Sequence, residues 1–433
     1  MSAASSIPRK RVLMSAFVVS PVRGSEPGVG WNVPVRVASY HDVTLLCATR
    51  AQGEDYRSEI EEYCDLHGHP DGLSFEYVGL PPLAWRLVRF QSNNPLSRAL
   101  LYKGYAIWQR AAYRRALELH GRRPFDLAHH LSLTGFREPG FLWKLGIPFF
   151  WGPVAGASNM PWRFFGMMGW RDRLFYGTRN VINTWQMRHS RRSRRAARLA
   201  RHIWVVGDDN RRLVCDTWGC RNASLLPDSG TCPRVAARIR KHDETGPLRL
   251  AWSGLHIGRK ALPILLHALA GLGPGYPVEL TILGGGAETV AWQDLAQHLG
   301  IRDRTHWTGQ LPQAEAVARV AEADVFVFTS IQEGTPNVVL EALSLGLPVI
   351  CHDACGMGAV VDDTCGIKVP LRNPACSIKG FAEAIRRLHC CPAEVARLSA
   401  GALRRADELS WDAKARVIAE TYERTLVHWS MDR

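Results

Sequence analysis

The sequence predicts an α/β protein built from two doubly wound domains in series, and three observations lead there. Short apolar runs alternate with helix-like stretches along the whole chain, the rhythm of βα units around parallel sheets. The 433 residues are too many for one ordinary domain and comfortable for two or three. The rhythm weakens once, in the polar stretches LLPDSGTCP and RKHDETGP, where Pro227, Pro233 and Pro247 set a boundary. The expected domains are therefore 10–230 and 245–410, with ligands at the carboxyl ends of the strands and in the cleft between.

The elements follow in order. RVLMSAFVVS reads as the first strand: its apolar part, Val12 to Val19, is short, β-branched and bounded by Pro21, unlike a signal peptide. A glycine-rich stretch carrying Gly24, Gly28 and Gly30 comes next, then VTLLCAT, FEYVGL, FDLAHHL, IPFFWGPV and HIWVVG as further strands. After the boundary, LRLAWSG leads into KALPILLHALAGL, whose leucines recur at helical spacing. VELTILGGG, RTHWTGQ, ADVFVFTS and LPVICHD continue the alternation. Nowhere do about 18 apolar residues run uninterrupted, so no segment is expected to span a bilayer.

Composition narrows the function classes. With 46% hydrophobic and 22% charged residues, disorder is excluded. The formal charge of +14 favours polyanionic partners: nucleic acid, acidic lipid or phosphate-bearing substrates. The 11 cysteines contain no CxxC pair and no zinc spacing, which fits buried, inert thiols in a reducing compartment. The spacing G-x3-G-x-G of Gly24, Gly28 and Gly30 departs from the dinucleotide fingerprint, and no acid ends the second strand convincingly, which makes a nicotinamide enzyme the weakest candidate. Those glycines still allow close approach of backbone to a phosphate.

Residues 329 to 351, TSIQEGTPNVVLEALSLGLPVIC, carry the most chemistry. A buried strand ends in a tight loop; Thr335 is placed to cap a helix and Pro336 to take its first position. The helix is expected to stop at Gly346, before Pro348. Its free backbone N–H groups would face a phosphate or sugar oxygen above the sheet. Glu333 in the loop and Glu341 in the helix can each accept two hydrogen bonds from vicinal hydroxyls.

The pattern S-x-x-E-G-x-P-x-x-x-L-E-A-L-x-x-G-x-P-V-I resembles the E-x7-E signature of retaining family 4 glycosyltransferases of the GT-B fold. WSGLHIGRKALPILLHAL, LTILGGG and HWTGQLPQAEAVARVAEADVFVFTS follow the family's order and spacing. GSEPGVGWN and FREPGFLWKLGIPFFWGPVAG look like its bacterial surface-polysaccharide branch. The resemblance implies two Rossmann-like domains facing across a cleft, with a final helix, 411–433, returning to the first.

It also implies roles. Glu341 would bind the nucleotide ribose and Glu333 would approach the transferred sugar, with backbone groups of Gly334, Thr335, Pro336, Asn337 and Val338 near sugar and phosphate. Lys260, with Arg259 beside it, would neutralise the diphosphate as charge grows on the leaving group. Gly309, Gln310 and Leu311 would meet the base, and His130, in preference to His129, the sugar. Two departures stand out: Leu255 replaces the family's second cation, for which Arg259 or His256 is a substitute, and Ala261 replaces a glycine. Neither a cofactor nor a metal is expected, the leaving phosphate itself helping to deprotonate the acceptor.

One segment changes character. PWRFFGMMGWRDRLFYG is rich in aromatic residues, and Arg188, Arg191, Arg192, Arg194, Arg195, Arg198 and Arg201 then accumulate without an acid. This points to peripheral docking on an anionic, cytoplasmic membrane surface, with Trp162, Phe164, Phe165 and Trp170 at the boundary. No nucleic-acid-binding motif accompanies it, so nucleic acid is not the expected partner. The expectation is a hexosyltransferase that uses a nucleotide-sugar donor and a polyprenyl-diphosphate-linked glycan acceptor in exopolysaccharide biosynthesis. The competing expectation, to which Leu255 gives a foothold, is a catalytically degenerate GT-B subunit that only binds.

Overall fold

In the computed structural model, which describes residues 9–51, 53–88, 95–131, 133–232, 237–242 and 245–431, the chain forms two compact units. Pro233 and the residues before Arg9 lie outside the described residues. The first unit comprises 1–157, 186–229 and 411–433, and the second 158–185 and 230–410.

The first unit is organised by seven parallel strands: β1 (Arg11–Ser15), β2 (Asp42–Ala48), β3 (Leu73–Val78), β4 (Leu127–His130), β5 (Phe149–Val154), β6 (Ala200–Val205) and β7 (Ala223–Leu225). Their order in the sheet is β3-β2-β1-β4-β5-β6-β7, so the chain winds outward in both directions from β1. Val12, Leu13 and Met14 of β1 are all fully buried, because helices cover both faces of a parallel sheet. β7, a short edge strand, was not visible in the sequence pattern.

The helices of this unit are α1 (Ser25–Val37), α2 (Tyr56–His67), α3 (Pro82–Val88) and α4 (Pro95–Arg122). After the chain's excursion into the other unit come α6 (Arg191–Leu199) and α7 (Asp208–Arg212), and α15 (Trp411–Met431) closes it. The expected phosphate loop is corrected here. Gly24 is the N-cap of α1, whereas Gly28 and Gly30 are buried inside its first turns. Gly30 has a packing reason: a Cβ there would lie 2.2 Å from the Val18 carbonyl oxygen. From α15, Trp411, Ala415, Ile418 and Tyr422 join the cluster of Val29, Trp31, Phe150 and Trp204.

In the second unit the strands are β8 (Leu248–Ser253), β9 (Val278–Leu283), β10 (Thr305–Gly309), β11 (Val325–Phe328), β12 (Val349–Asp353) and β13 (Gly366–Pro370). The order β10-β9-β8-β11-β12-β13 repeats the same outward winding, all parallel. One face is covered by α8 (Leu262–Ala270), α9 (Thr289–His298) and α13 (Pro374–Cys390). α10 (Gln313–Val320), α11 (Asn337–Ser344), α12 (Cys355–Val360) and α14 (Pro392–Glu408) pack on the other.

The continuous 10–230 domain needs correction at 158–185, including most of α5 (Trp170–His189), which belongs to the second unit. The cause is burial: Met160, Phe164 and Met168 insert into the cluster of Leu262, Leu266, Phe381 and Ile385. Phe164 is therefore a core residue and is removed from the expected membrane boundary. The arginine run is also more structured than its composition suggested. It divides among the end of α5, α6 and β6, and several of its members cover the first unit's own aromatics. Arg192 pairs with Glu138 and stacks 4.6 Å from the Phe141 ring, and Arg195 lies 5.6 Å over Trp143. Arg198 donates to the Trp218 carbonyl at 3.1 Å. The cysteines are all free, but Cys232, Cys376, Cys390 and Cys391 are exposed, against the expectation of buried thiols.

Candidate active site

In the second unit the expected donor residues gather where β8, β10 and β11 end, the edge at which open α/β sheets bind ligands. β11 is wholly buried, and Thr329 and Ser330 after it stay buried because their hydroxyls have partners. Thr329 Oγ1 donates to the Lys260 carbonyl at 2.9 Å, and the Ile331 N–H donates to the Arg259 carbonyl at 2.9 Å. The loop after β11 is thus stitched to the 3-10 turn Gly258–Lys260 after β8.

The stitching sets up the charge arrangement. Lys260 Nζ lies 2.6 Å from Glu333 Oε1, Arg259 pairs with the same oxygen, and the Ser330 hydroxyl donates to it at 2.8 Å. Lys260 also lies 4.8 Å over the Phe328 ring. Burial alone would raise the Glu333 carboxyl pKa, but Lys260 and Arg259 outweigh it and hold it below the ordinary range. Burial likewise pulls the Lys260 ammonium down, with Glu333 opposing.

Two substitutions noted in the sequence find explanations here. Leu255 is exposed, and the second cation on Glu333 comes from Arg259. His256 is not that substitute: it is buried, lies 2.8 Å from Thr289 Oγ1, and packs among the rings of Trp252, Trp292 and Trp307. Ala261 adopts a left-handed conformation at φ 49°, which explains why a glycine would suit that position.

Beyond Glu333 the chain passes Gly334 and Thr335 into α11. The N-cap is Pro336, one residue later than expected, and Asn337 is the first helical residue. The amides at this helix start have no intrahelical partner to reach. Glu341, in the second turn of α11, accepts from Gln313 Nε2 of α10 at 3.3 Å and lines a crevice with Ser253 and Val338. Gly309, at φ 71°, ends β10, and Gln310 and Leu311 lead into α10. A groove of about 600 Å³ runs beside β10 and α10 and meets the expected residues only at Leu311. It is not where the charges converge.

The histidine expectation is corrected. In the first unit, His129 donates from Nε2 to the Gly152 carbonyl at 2.8 Å, and its Nδ1 lies 2.5 Å from the Tyr422 hydroxyl. His130 is fully buried, with Nε2 3.1 Å from the Glu138 carbonyl and 3.3 Å from the Tyr105 hydroxyl. Burial lowers the pKa values to about 4 for His129 and about 3 for His130, so both are neutral packing groups.

Sequence reasoning missed several partners. Ser330 sits three residues before Glu333 in the quoted motif, so its spacing was visible while its role was not. Gln332 carries no such signal: its Nε2 donates to the Ser158 carbonyl at 2.5 Å, and Arg179 of α5 donates to its Oε1 at 3.4 Å. In the first unit, Ser25 has φ 55°, and the next residue, Glu26, accepts from both the N–H and the hydroxyl of Thr134. Among the described residues no group of three His, Cys, Asp or Glu could hold a metal, and no helix is long and apolar enough to cross a membrane.

Comparisons with known proteins bear on the second unit most directly. Residues 247–390 match the family model described as "Glycosyl transferases group 1". A D-inositol 3-phosphate glycosyltransferase of Frankia alni is 34% identical over 187 residues, covering 40% of this chain and 45% of that protein. The lipopolysaccharide core biosynthesis glycosyltransferase LpsD of Rhizobium meliloti is 29% identical over 243 residues, 51% of this chain and 68% of that one. The chain spans about half the length of the first curated relatives it matches. In fold, it is similar to Anabaena Alr3699/HepE in complex with UDP, with a TM-score of 0.57 at 13% identity over 96% of this chain and all of that one. The two Rossmann-like units are therefore those of the GT-B fold, and residues 247–390 of the second match the group 1 glycosyltransferase model.

Proposed function

We propose that this chain, with its group 1 glycosyltransferase domain over residues 247–390, moves a hexosyl unit from a nucleotide sugar to a lipid-linked glycan acceptor. One observation carries the reading. Lys260 and Arg259 converge on one oxygen of Glu333 at the carboxyl edge of the second sheet, one loop away from the helix that carries Glu341. Two cations bound to a single carboxylate can be redirected to an incoming diphosphate, which carries more charge. They then stabilise the charge that grows on it as the glycosidic bond breaks. Glu333, released from them, turns to the sugar hydroxyls, and Glu341 accepts from the ribose. The amides of Gly334, Thr335, Asn337 and Val338 supply neutral donors to sugar and phosphate.

The same reading has the transfer proceed with retention, the departing phosphate taking the acceptor proton on the face it leaves. No metal enters this scheme, since the two side-chain cations meet the diphosphate. The relative named for lipopolysaccharide core biosynthesis supports a place in surface-polysaccharide or exopolysaccharide assembly; the cytoplasmic membrane face and a polyprenyl-diphosphate-linked acceptor complete the proposal. A catalytically degenerate binding subunit is disfavoured by Arg259, which restores the cation missing at Leu255.

Thermal melting with a panel of nucleotide sugars tests the donor site, because a ligand that binds only the folded state must raise the melting temperature. Turnover is then measured with the stabilising donor and a polyprenyl-diphosphate-linked glycan. A panel without effect sinks the donor reading, whereas binding without turnover restores the binding-subunit alternative.

A further inference from the structure

α5 is built the wrong way round for a soluble helix. Its inner face is polar: Asn180 and Asn183 are 1% and 0% exposed. Asn180 brackets Met160, accepting from its N–H at 2.9 Å and donating to its carbonyl at 2.7 Å, while Asn183 donates to Asn159 at 2.8 Å. Its outer face is apolar. Trp170, Leu174, Val181 and Trp185 are 70%, 65%, 64% and 62% exposed. Their spacing, i, i+4, i+11 and i+15, puts all four in one stripe. Gly177, on the same stripe, lies beside the ring of Trp162, itself 60% exposed, which extends the patch sideways.

Charge surrounds that stripe with one sign. Arg163, Arg171 and Arg173 are exposed around it, and Arg188 continues the stripe. The only acid of the helix, Asp172, faces inward, its carboxylate against Gly258. Exposed tryptophans in line, ringed by arginines and free of acids, match the boundary between acyl chains and anionic head groups.

We propose that the outer face of α5 is a docking surface for an anionic lipid bilayer. This rests on the lipid-linked acceptor reading and moves the contact from the arginine run of α6 to the preceding helix. The inner face gives docking a consequence. Asp172 lies against Gly258, which opens the turn carrying Arg259 and Lys260, and Arg179 holds Gln332, next to Glu333. The helix that seats on lipid thus braces the loops that hold the donor.

The test uses the purified full chain, sedimented with vesicles of phosphatidylcholine alone or mixed with phosphatidylglycerol, at low and high salt. Binding is expected with the anionic vesicles and is expected to weaken with salt. Replacing Trp170, Leu174 and Trp185 together by serine should lower the partition coefficient tenfold or more. Arg163→Gln with Arg171→Gln and Arg188→Gln should remove the preference for anionic vesicles. Unchanged binding by the serine variant overturns the proposal, as does failure of the wild type to bind either vesicle. It is overturned too if the wild type is a dimer in solution and the serine variant a monomer, since the face then joins two copies. Nucleotide-sugar melting shifts run in parallel keep the readings apart. Their absence in the wild type sinks the transferase reading and leaves the vesicle result standing.

Discussion

At the scale of single residues, Glu333 and Lys260 show how burial and charge are set against each other. Each is a poor buried ion alone, and each keeps the other charged. A nucleotide diphosphate must compete with Glu333 for Lys260 and Arg259, so Glu333→Gln is expected to bind the bare diphosphate several-fold tighter while transferring sugar more slowly. Calorimetry with the diphosphate checks this, and weaker binding would show that Glu333 positions the cations instead of sequestering them. Lys260→Ala should lower kcat by roughly 10²-fold, the usual loss for one transition-state charge partner. Glu341→Ala should weaken donor binding and leave kcat nearly unchanged; steady-state kinetics separates the two. These residues were legible because loop acid, helix acid and loop cation stand in one linear pattern. The burial of His130 was not legible, because a strand end is visible in sequence while the folding of Glu138 and Gly140 over its ring is not. Arg259 could be chosen over His256 as the second cation only once the turn after β8 was seen joined to the loop after β11.

Among the elements, strands were read from apolar runs that are buried on both faces, and such runs survive any detail of packing. Boundaries depended on local geometry that composition does not carry. β1 ends at Ser15, short of its apolar run, and α11 begins one residue after Pro336. The most consequential contact between elements was invisible: α12 meets the Gly334–Thr335 loop through Gly356, where a Cβ would lie 1.8 Å from the Gly334 carbonyl oxygen. No side chain fits there without displacing that loop. Gly356→Ala is therefore expected to cost about 1–3 kcal/mol of stability, as overpacking does. It should also weaken nucleotide-sugar binding by an order of magnitude or so, through the loop next to Glu333. Urea melting and donor titration on the same protein test both effects. A variant with native affinity would mean that the loop tolerates the shift and that its amides do not hold the donor.

On the scale of the whole molecule, the first unit is assembled from three separated stretches of chain, and its last helix supplies side chains to the core. Tyr422 is fully buried among His129, Phe150 and Trp204, with ring centroids 5.8, 4.7 and 5.9 Å away. Tyr422→Ala should cost about 3–5 kcal/mol, as for other large aromatic side chains removed from a core. Tyr422→Phe should cost nearer 1 kcal/mol, because it forfeits only the hydrogen bond to His129 Nδ1. The same contact carries a pH signature. His129 has its folded pKa lowered to about 4 by burial, against an ordinary value near 6.5. The unfolded chain therefore takes up the proton first. The stability owed to neutral His129 is complete above about pH 6.5 and falls on acidification toward pH 4, at about 1.4 kcal/mol per pH unit. Urea unfolding between pH 7 and 5 should show at least that slope in the wild type and in Tyr422→Phe alike. His129→Asn should lower the slope by that increment and leave the rest, because His130, His202 and His352 are also held neutral by burial. A nucleotide sugar should raise the unfolding transition of the second unit and leave the Tyr422-sensitive transition where it is, provided the units melt separately. If one transition responds equally to Tyr422→Ala and to donor, the two units unfold as a single cooperative body, and the effect of the last helix extends to the donor site.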